Sequence, residues 1–514
     1  MKNPKRIVWL SSTNSVIFLA ALVKFFLHLY NAPGYGFFGD EFYTMALSRH
    51  LAFGYVDLPP LVPALMALSR AILGESLLAM HIVPALAGAG TLVFVCLIAK
   101  EFGGKTFAVM LSGLGFIIVP LWLSVDSIFC YDSIDQLVLS AFLYTLVRFL
   151  HTGNRKLWIL LGVTAGIACM TKMTILFLGP AFLVALLISK YRKDLLTPWP
   201  WLGAFVCVII VSPYLFWQFF NDWPTIEYWN NYGTYRVYQA SLAQYLVNVF
   251  VYMGPLLLPL WLAGLYRIFR RFDGVDYSFL GIFFAGALIT LFAFHASARM
   301  LAEVFMPLLA AGAIFIEELS DHVRWGKWVR GSVITYLLIA GVFSIPLCIP
   351  ILPVDQSLSF SDTFKSKIPP VKEFNGQTFR VSPTLYGRLG WDEMVQEVSN
   401  VYDELPQEER SITGIYSEWY MPAGAIDQLG PKYGLPHAVS GSLTYYLWGP
   451  GYSWDSMIIL SGKINNLDVF FDECELKREV QQKYELPFGK LFIHVCRKPV
   501  VSVDKLWSAM KSYR

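Results

Sequence analysis

The sequence predicts an α-helical polytopic membrane protein that crosses the bilayer about eleven times and ends in a soluble α/β domain. Three observations carry that expectation: an apolar excess, long uncharged runs separated by basic loops, and a change of composition near residue 354. Of 514 residues, 56% are hydrophobic and 15% charged, and the mean hydropathy is +0.51. Soluble domains keep about a quarter of their residues charged. A net charge of +3 is too small to imply a nucleic-acid partner, and the sequence has no recognised nucleic-acid module.

A run of about 17 to 23 apolar residues can cross the roughly 30 Å hydrocarbon core as a helix. About eleven such runs occur, at 8–30, 80–99, 106–124, 134–150, 157–171, 173–189, 200–220, 244–266, 277–294, 301–316 and 331–351. The first follows Lys2, Lys5 and Arg6, lacks a small-residue cleavage site and is long enough to span, so it reads as an uncleaved helix. Lys and Arg gather in cytoplasmic loops. Here they recur at every second loop: Lys100/Lys105, Arg148/Arg155/Lys156, Lys190/Arg192/Lys193, Arg267/Arg270/Arg271 and Arg324/Lys327/Arg330. The alternation predicts a cytoplasmic N-terminus, outer loops at 31–79, 125–133, 221–243 and 295–300, and an outer location for everything after Pro353.

Residues 1–353 thus read as a transmembrane domain and 354–514 as an extracytoplasmic domain. Its start is punctuated by Pro346, Pro350 and Pro353. Short β-like runs at Ile412 to Tyr416, Ser456 to Ser461 and Leu491 to Cys496 alternate with helix-like stretches such as Trp391 to Leu405. Cys474 and Cys496 lie in this part, as a disulfide or as two free thiols.

The chemistry gathers in the predicted outer loops. The first holds Asp40-Glu41-Phe42-Tyr43 and then Asp57-Leu58-Pro59-Pro60, with Phe42 to Phe53 read as a helix lying at the membrane interface. Asp40 reads either as a helix N-cap or as a general base that takes a proton from an acceptor hydroxyl. Asp57 reads as a turn residue before the prolines. Asp126, Asp132 and Asp135 collect at the entrance of the fourth run, and Asp132 and Asp135 share a helix face. Lys172 and Arg299 break the positive-inside pattern. Either they snorkel at helix ends, or they hold an anionic group such as a phosphate. Transfer from a phosphate-linked sugar needs both a base for the attacking hydroxyl and positive charge for the leaving phosphate.

The stretches Gly39-Asp40-Glu41-Phe42-Tyr43, Gly54 to Leu61, Tyr131 to Leu137 and Met170-Thr171-Lys172 resemble the bacterial protein-mannosyltransferase-like and aminoarabinose-transferase-like membrane glycosyltransferases of the GT-C fold. Glu418-Trp419-Tyr420, Gly430 to Pro436 and Leu447 to Pro450 resemble the outer domain of one bacterial branch, so the resemblance covers nearly the whole chain. It implies Asp40 as the catalytic carboxylate with Glu41 beside it, and Lys172 and Arg299 as donor-phosphate ligands. Asp132 and Asp135 would line the sugar cavity, Asp57 would help shape the site, and Tyr43 would join the substrate-binding set. Tyr43 stands where some relatives have Arg, and Leu58 where many have His or Lys.

The implied function is an inverting glycosyltransferase of the bacterial inner membrane. It would move a sugar from a polyprenyl-phosphate donor to a lipid, glycan or protein acceptor on the outer face, in contact with membrane lipids. Such a transfer requires no cofactor, and a divalent cation is compatible with it. The rival reading is a multi-span transporter or flippase of a lipid-linked or anionic substrate. Against it, transporter sites lie near the midplane between repeats, and the acids here collect in outer loops of a chain with no internal repeat. A third reading is a non-catalytic sensor whose outer domain binds a partner.

Overall fold

Lipid offers the backbone no hydrogen bonds, so each apolar run must satisfy its own N–H and C=O groups, and a helix does this within one segment. The computed structural model describes residues 12–235, 239–270, 274–364, 367–372, 382–462, 469–481, 483–484 and 489–513. All eleven runs fall on helical segments. Among the described residues, Leu77–Glu101, Tyr131–Thr152, Pro198–Phe220, Ala298–His322 and Gly326–Cys348 are each long and apolar enough to cross a membrane, which makes five such helices, or up to seven spans if each of two bent pairs counts as one. The protein is a multi-pass membrane protein. Lys2, Lys5, Arg6 and Arg271 of the charge map lie outside the described residues.

Two runs are broken where backbone chemistry demands it. The run 106–124 forms Thr106–Ile117 and Pro120–Val125, because Pro120 disfavours a helical residue before it and Val119 is extended. The run 244–266 bends by 84° between Leu242–Tyr252 and Pro255–Ile268. Gly254 sits at the bend with φ 85°, a conformation that favours glycine, and Pro255 follows it.

The contacts divide the chain into two compact units. One comprises Met1–Pro33, Leu78–Pro213 and Val237–Ser382; the other comprises Gly34–Leu77, Tyr214–Arg236 and Pro383–Arg514. In the first unit, helix faces turned away from the core carry large apolar side chains in the open: Phe18, Phe205, Val208, Ile339 and Val342 are all more than half exposed. So much exposed apolar surface suits lipid rather than water. The basic loops of this unit are tied to neighbouring acids: Lys105 and Arg330 both reach Asp321, Arg155 pairs with Asp194, and Arg267 pairs with Glu318.

Deep in the first unit a lone charge in the first apolar run finds its counter-charge. Lys24 Nζ lies 2.7 Å from Asp126 Oδ2, and both side chains are fully buried. The ammonium also donates to the Trp122 carbonyl at 3.2 Å, and Gln136 Nε2 donates to Asp126 Oδ1 at 3.0 Å. Asp126 is thereby tied to the first span, joining it to the turn before Tyr131–Thr152.

The second unit holds two helices of the first loop and a five-stranded mixed sheet. The helix expected at Phe42 to Phe53 runs instead over Gly39–Arg49, and it does not lie bare at an interface: Phe42 to Ser48 are buried inside the unit. The early start follows from Glu41, whose carboxylate accepts from the Phe38 backbone N–H at 2.7 Å. A second helix, Leu61–Leu73, begins straight after Pro59-Pro60. The sheet is β1 Thr413–Ser417, β2 Ala438–Val439, β3 Ser456–Ser461, β4 Phe471–Glu479 and β5 Phe492–Pro499. Their order is β2-β1-β3-β5-β4, with β1 parallel to β2 and β3, and β5 antiparallel to β3 and β4. Of the predicted strands β1, β3 and β5 are present, and the helix Trp391–Asp403 matches its expected stretch. Cys474 on β4 and Cys496 on β5 are direct partners in the ladder and form a disulfide.

Breaking a buried pair leaves an uncompensated charge, at a cost of about 3–5 kcal/mol. Lys24→Met or Asp126→Leu alone should therefore lower the unfolding temperature sharply in detergent, and the double substitution should recover most of the loss. A Lys24→Met protein that melts with the wild type would show that the pair holds nothing together.

Candidate active site

Two groups of polar side chains contain all the candidate residues, one in each unit. In the second unit the first turn of Gly39–Arg49 separates its two adjacent acids by function. Glu41 is fully buried, caps the helix start, and lies in the field of the buried Arg388 guanidinium. Asp40, one position earlier, is half-buried and is not the cap. Its Oδ1 accepts a hydrogen bond from the Tyr420 hydroxyl at 3.0 Å. Tyr420 opens the helix Tyr420–Leu429, which packs directly on Gly39–Arg49. A Cβ at Gly424 would come within 2.8 Å of the Phe42 backbone, so glycine there permits the approach.

Tyr43 and Asp57 extend this group. The buried Tyr43 hydroxyl donates to Asp57 Oδ1 at 2.7 Å and lies 3.0 Å from Thr444 Oγ1, which also accepts from the Val56 N–H at 3.0 Å. The Tyr43 and Tyr420 rings pack with centroids 4.6 Å apart. Burial pushes the Asp57 carboxyl up from its ordinary 3.8 to about 7; the Tyr43 hydrogen bond opposes the rise and the charge of Asp40 adds to it. Burial likewise pushes the Tyr43 hydroxyl well above its usual range, with the Asp57 charge acting in the same sense. Near neutral pH the group therefore holds one carboxyl that readily carries a proton beside a second that is anchored by a phenol.

In the first unit the three residues Thr171, Lys172 and Met173 lie where the helix Leu157–Thr171 gives way to Thr174–Ile188. Lys172 is extended there, with φ −157° and ψ 151°. Its ammonium pairs with Asp132 and lies over the Tyr131 ring at 5.0 Å. Asp135, one turn further along Tyr131–Thr152, accepts from the Thr171 hydroxyl at 2.9 Å. Arg299, at the start of the 3-10 helix Ala298–Phe305, lies in electrostatic range of both Asp132 and Lys172. The structure thus brings Asp132, Asp135, Lys172 and Arg299 together.

Two residues join these groups that sequence reasoning did not assign. Glu303, in the same 3-10 helix as Arg299, interacts electrostatically with Asp132, Asp135 and Lys172. Its Oε2 is buried without a hydrogen-bond partner among the described residues, and it stands in the wall of an otherwise apolar cavity of about 250 Å³. An isolated acid in the run 301–316 was the available signal. Tyr420 had only its place in the Glu418-Trp419-Tyr420 stretch. Among the described residues no group of three or more His, Cys, Asp or Glu side chains is arranged to hold a metal ion.

Comparison with known proteins gives this architecture a class. The fold matches the crystal structure of ArnT from Cupriavidus metallidurans bound to undecaprenyl phosphate, with a TM-score of 0.57 and 14% identity over 93% of this chain and 97% of that one. It matches the apo state of the same protein equally well, with a TM-score of 0.57 and 13% identity over the same shares. No curated protein matches by sequence. The chain is a glycosyltransferase of the membrane-embedded GT-C class. Residues 57–217 match the family model described as dolichyl-phosphate-mannose-protein mannosyltransferase. That segment contains Asp57, Asp132, Asp135 and Lys172; Asp40, Glu41, Tyr43 and Arg299 lie outside it.

The Asp57 environment has a pH signature. Between pH 3.8 and about 7 the folded carboxyl keeps a proton that the unfolded one has lost. Stability from this group therefore falls as pH rises through that window. Asp57→Asn, which still accepts from Tyr43, should flatten the fall in Tm between about pH 4 and pH 7 and gain on the wild type above it. Parallel Tm curves for the two proteins would show that Asp57 is ionised throughout.

Proposed function

We propose that the protein is an inverting glycosyltransferase that moves a sugar from a polyprenyl-phosphate donor to an acceptor hydroxyl on the outer face of the bacterial inner membrane. The observation that carries the reading is the meeting of Lys172 and Arg299, the two cations that break the positive-inside pattern, in one half-buried cluster with Asp132 and Asp135. A lysine and an arginine brought this close can together bind the oxygens of a donor phosphate, a group that both side chains hold well. ArnT, whose fold this chain shares, binds undecaprenyl phosphate. In this reading Lys172 and Arg299 take the phosphate, and Asp132, Asp135 and Glu303 receive sugar hydroxyls.

Asp40 is the base. As the acceptor oxygen bonds to the anomeric carbon, its proton passes to Asp40, and the bond from that carbon to the phosphate oxygen breaks with its electron pair leaving on the polyprenyl phosphate. One base and a good leaving group suffice, so no covalent sugar-enzyme intermediate forms and the anomeric configuration inverts; a retaining glycosidase needs a second carboxylate as nucleophile. Glu41 is the capping residue beside the base, occupied with the Phe38 N–H. Tyr43 and Asp57 shape the acceptor side. The Cys474–Cys496 disulfide supports an oxidising, extracytoplasmic compartment for residues 354–514, as does the alternation of basic loops through residues 1–353.

The test incubates the purified protein with a panel of polyprenyl-phosphate sugars and an acceptor extract, and measures release of polyprenyl phosphate. Asp40→Asn should lower turnover by about 10²- to 10⁴-fold, Glu41→Gln by less, and the product should carry the inverted linkage. Retained configuration or a fully active Asp40→Asn protein would remove the mechanism.

The same assay separates the roles of the cations. Lys172→Ala and Arg299→Ala should each weaken donor use by about 10- to 100-fold, since a hydrogen bond to a charged group contributes about 1.5–3 kcal/mol, a larger effect than either has on folding. Unchanged donor dependence in both would reduce them to snorkelling side chains.

A further inference from the structure

We propose that Tyr420 is a positioning residue for the reaction: its hydroxyl donates to Asp40 Oδ1 and so fixes the orientation in which the carboxylate meets the acceptor proton. The inference rests on Asp40 being the base. An unanchored aspartate turns about its side-chain bonds and spends little time aimed at one substrate atom, whereas a base held in place by a second group has already met that entropic cost.

The Tyr420 hydroxyl is well placed to serve as that second group. It is set by the start of a helix, since Trp419 is extended at φ −120° and ψ 153° and Tyr420 is the first helical residue. The turn before it is locked by Ser417, whose hydroxyl donates to the Trp419 carbonyl at 2.8 Å and lies 3.3 Å from the Trp419 N–H. Ser417 ends β1, the central parallel strand, so the sheet fixes where the helix begins. The close packing at Gly424 sets the distance between the Tyr420 and Asp40 helices, and the Tyr43 ring buttresses Tyr420 from the side. Adding the phenol's donated hydrogen bond also favours the ionised carboxylate, the form a base must have. Glu41, by contrast, is consumed in capping, so the chain has separated the two adjacent acids into a structural one and a reactive one.

Tyr420→Phe keeps the ring and removes only the donor. It should lower kcat by about 10- to 100-fold with the donor KM unchanged. It should also move the acidic limb of the kcat/KM profile to higher pH, because the base loses a bond that favours its ionised form. Glu41, Tyr43 and Asp57 stay constant in this comparison. Replacing Tyr420 with 3-fluorotyrosine, which preserves the fold and makes a stronger donor, should move the limb the other way, and this second readout stands even if Tyr420→Phe fails to fold. In an Asp40→Asn background, Tyr420→Phe should cost nothing further. A wild-type profile in both Tyr420 variants, with Asp40→Asn inactive, would overturn the positioning role and leave the base intact. Full activity in Asp40→Asn would overturn both.

Discussion

A charge inside hydrocarbon must meet an opposite charge or a hydrogen-bonding partner, and much of the helical unit is organised around that constraint. Lys24 is met by Asp126 and Lys172 by Asp132, while Asp135 is met by a threonine hydroxyl. Each of these contacts joins segments far apart in the chain, so each fixes a helix pairing as well as neutralising a charge. The apolar helix faces alone would pack in several ways, because lipid competes with every apolar contact they make. Polar pairing removes that freedom.

The same constraint distinguishes the two polar groups of the helical unit. The Lys24 pair is closed: it is fully buried, balanced one to one and surrounded by carbonyl and amide partners. The Lys172 group is open. Its ion pair is partly exposed, two cations share one neighbourhood, and Glu303 keeps an oxygen without a partner among the described residues beside an apolar cavity. A balanced pair is what structure alone requires. A half-exposed cluster whose charges are shared among several partners suits a place where a ligand can exchange with one of them.

Much of the fold was legible because periodicity and charge asymmetry act locally. The apolar runs read directly as helices, and three of the five strands as short β-branched or aromatic stretches. The failures were local too: Pro120 and Gly254-Pro255 break helices where hydropathy averages over them, and the two-residue β2 is too short to leave a pattern. Asp40 stood out in the first outer loop, Asp132 and Asp135 at the entrance of the fourth apolar run, and Lys172 as a break in the positive-inside pattern. Their partners did not, since nothing in the spacing of Asp40 points to a tyrosine 380 residues away. Lys24 and Glu303 were visible as isolated charges in apolar runs, but only the packed structure gives each its neighbours.

The contrast between Asp40 and Glu41 shows why residue type at a motif is weaker evidence than geometry. Both are acids in the first turn of one helix, where the dipole favours either of them. The longer side chain of Glu41 reaches back to the Phe38 N–H, a reach of three residues that suits glutamate at this position. With that N–H answered and the Glu41 carboxylate buried, Asp40 has no capping work left, and its shorter side chain turns toward the Tyr420 hydroxyl. With a buried glutamate on the cap and the half-buried aspartate on the Tyr420 hydroxyl, the two acids stand in different surroundings, which supports the proposal that Asp40 is the base.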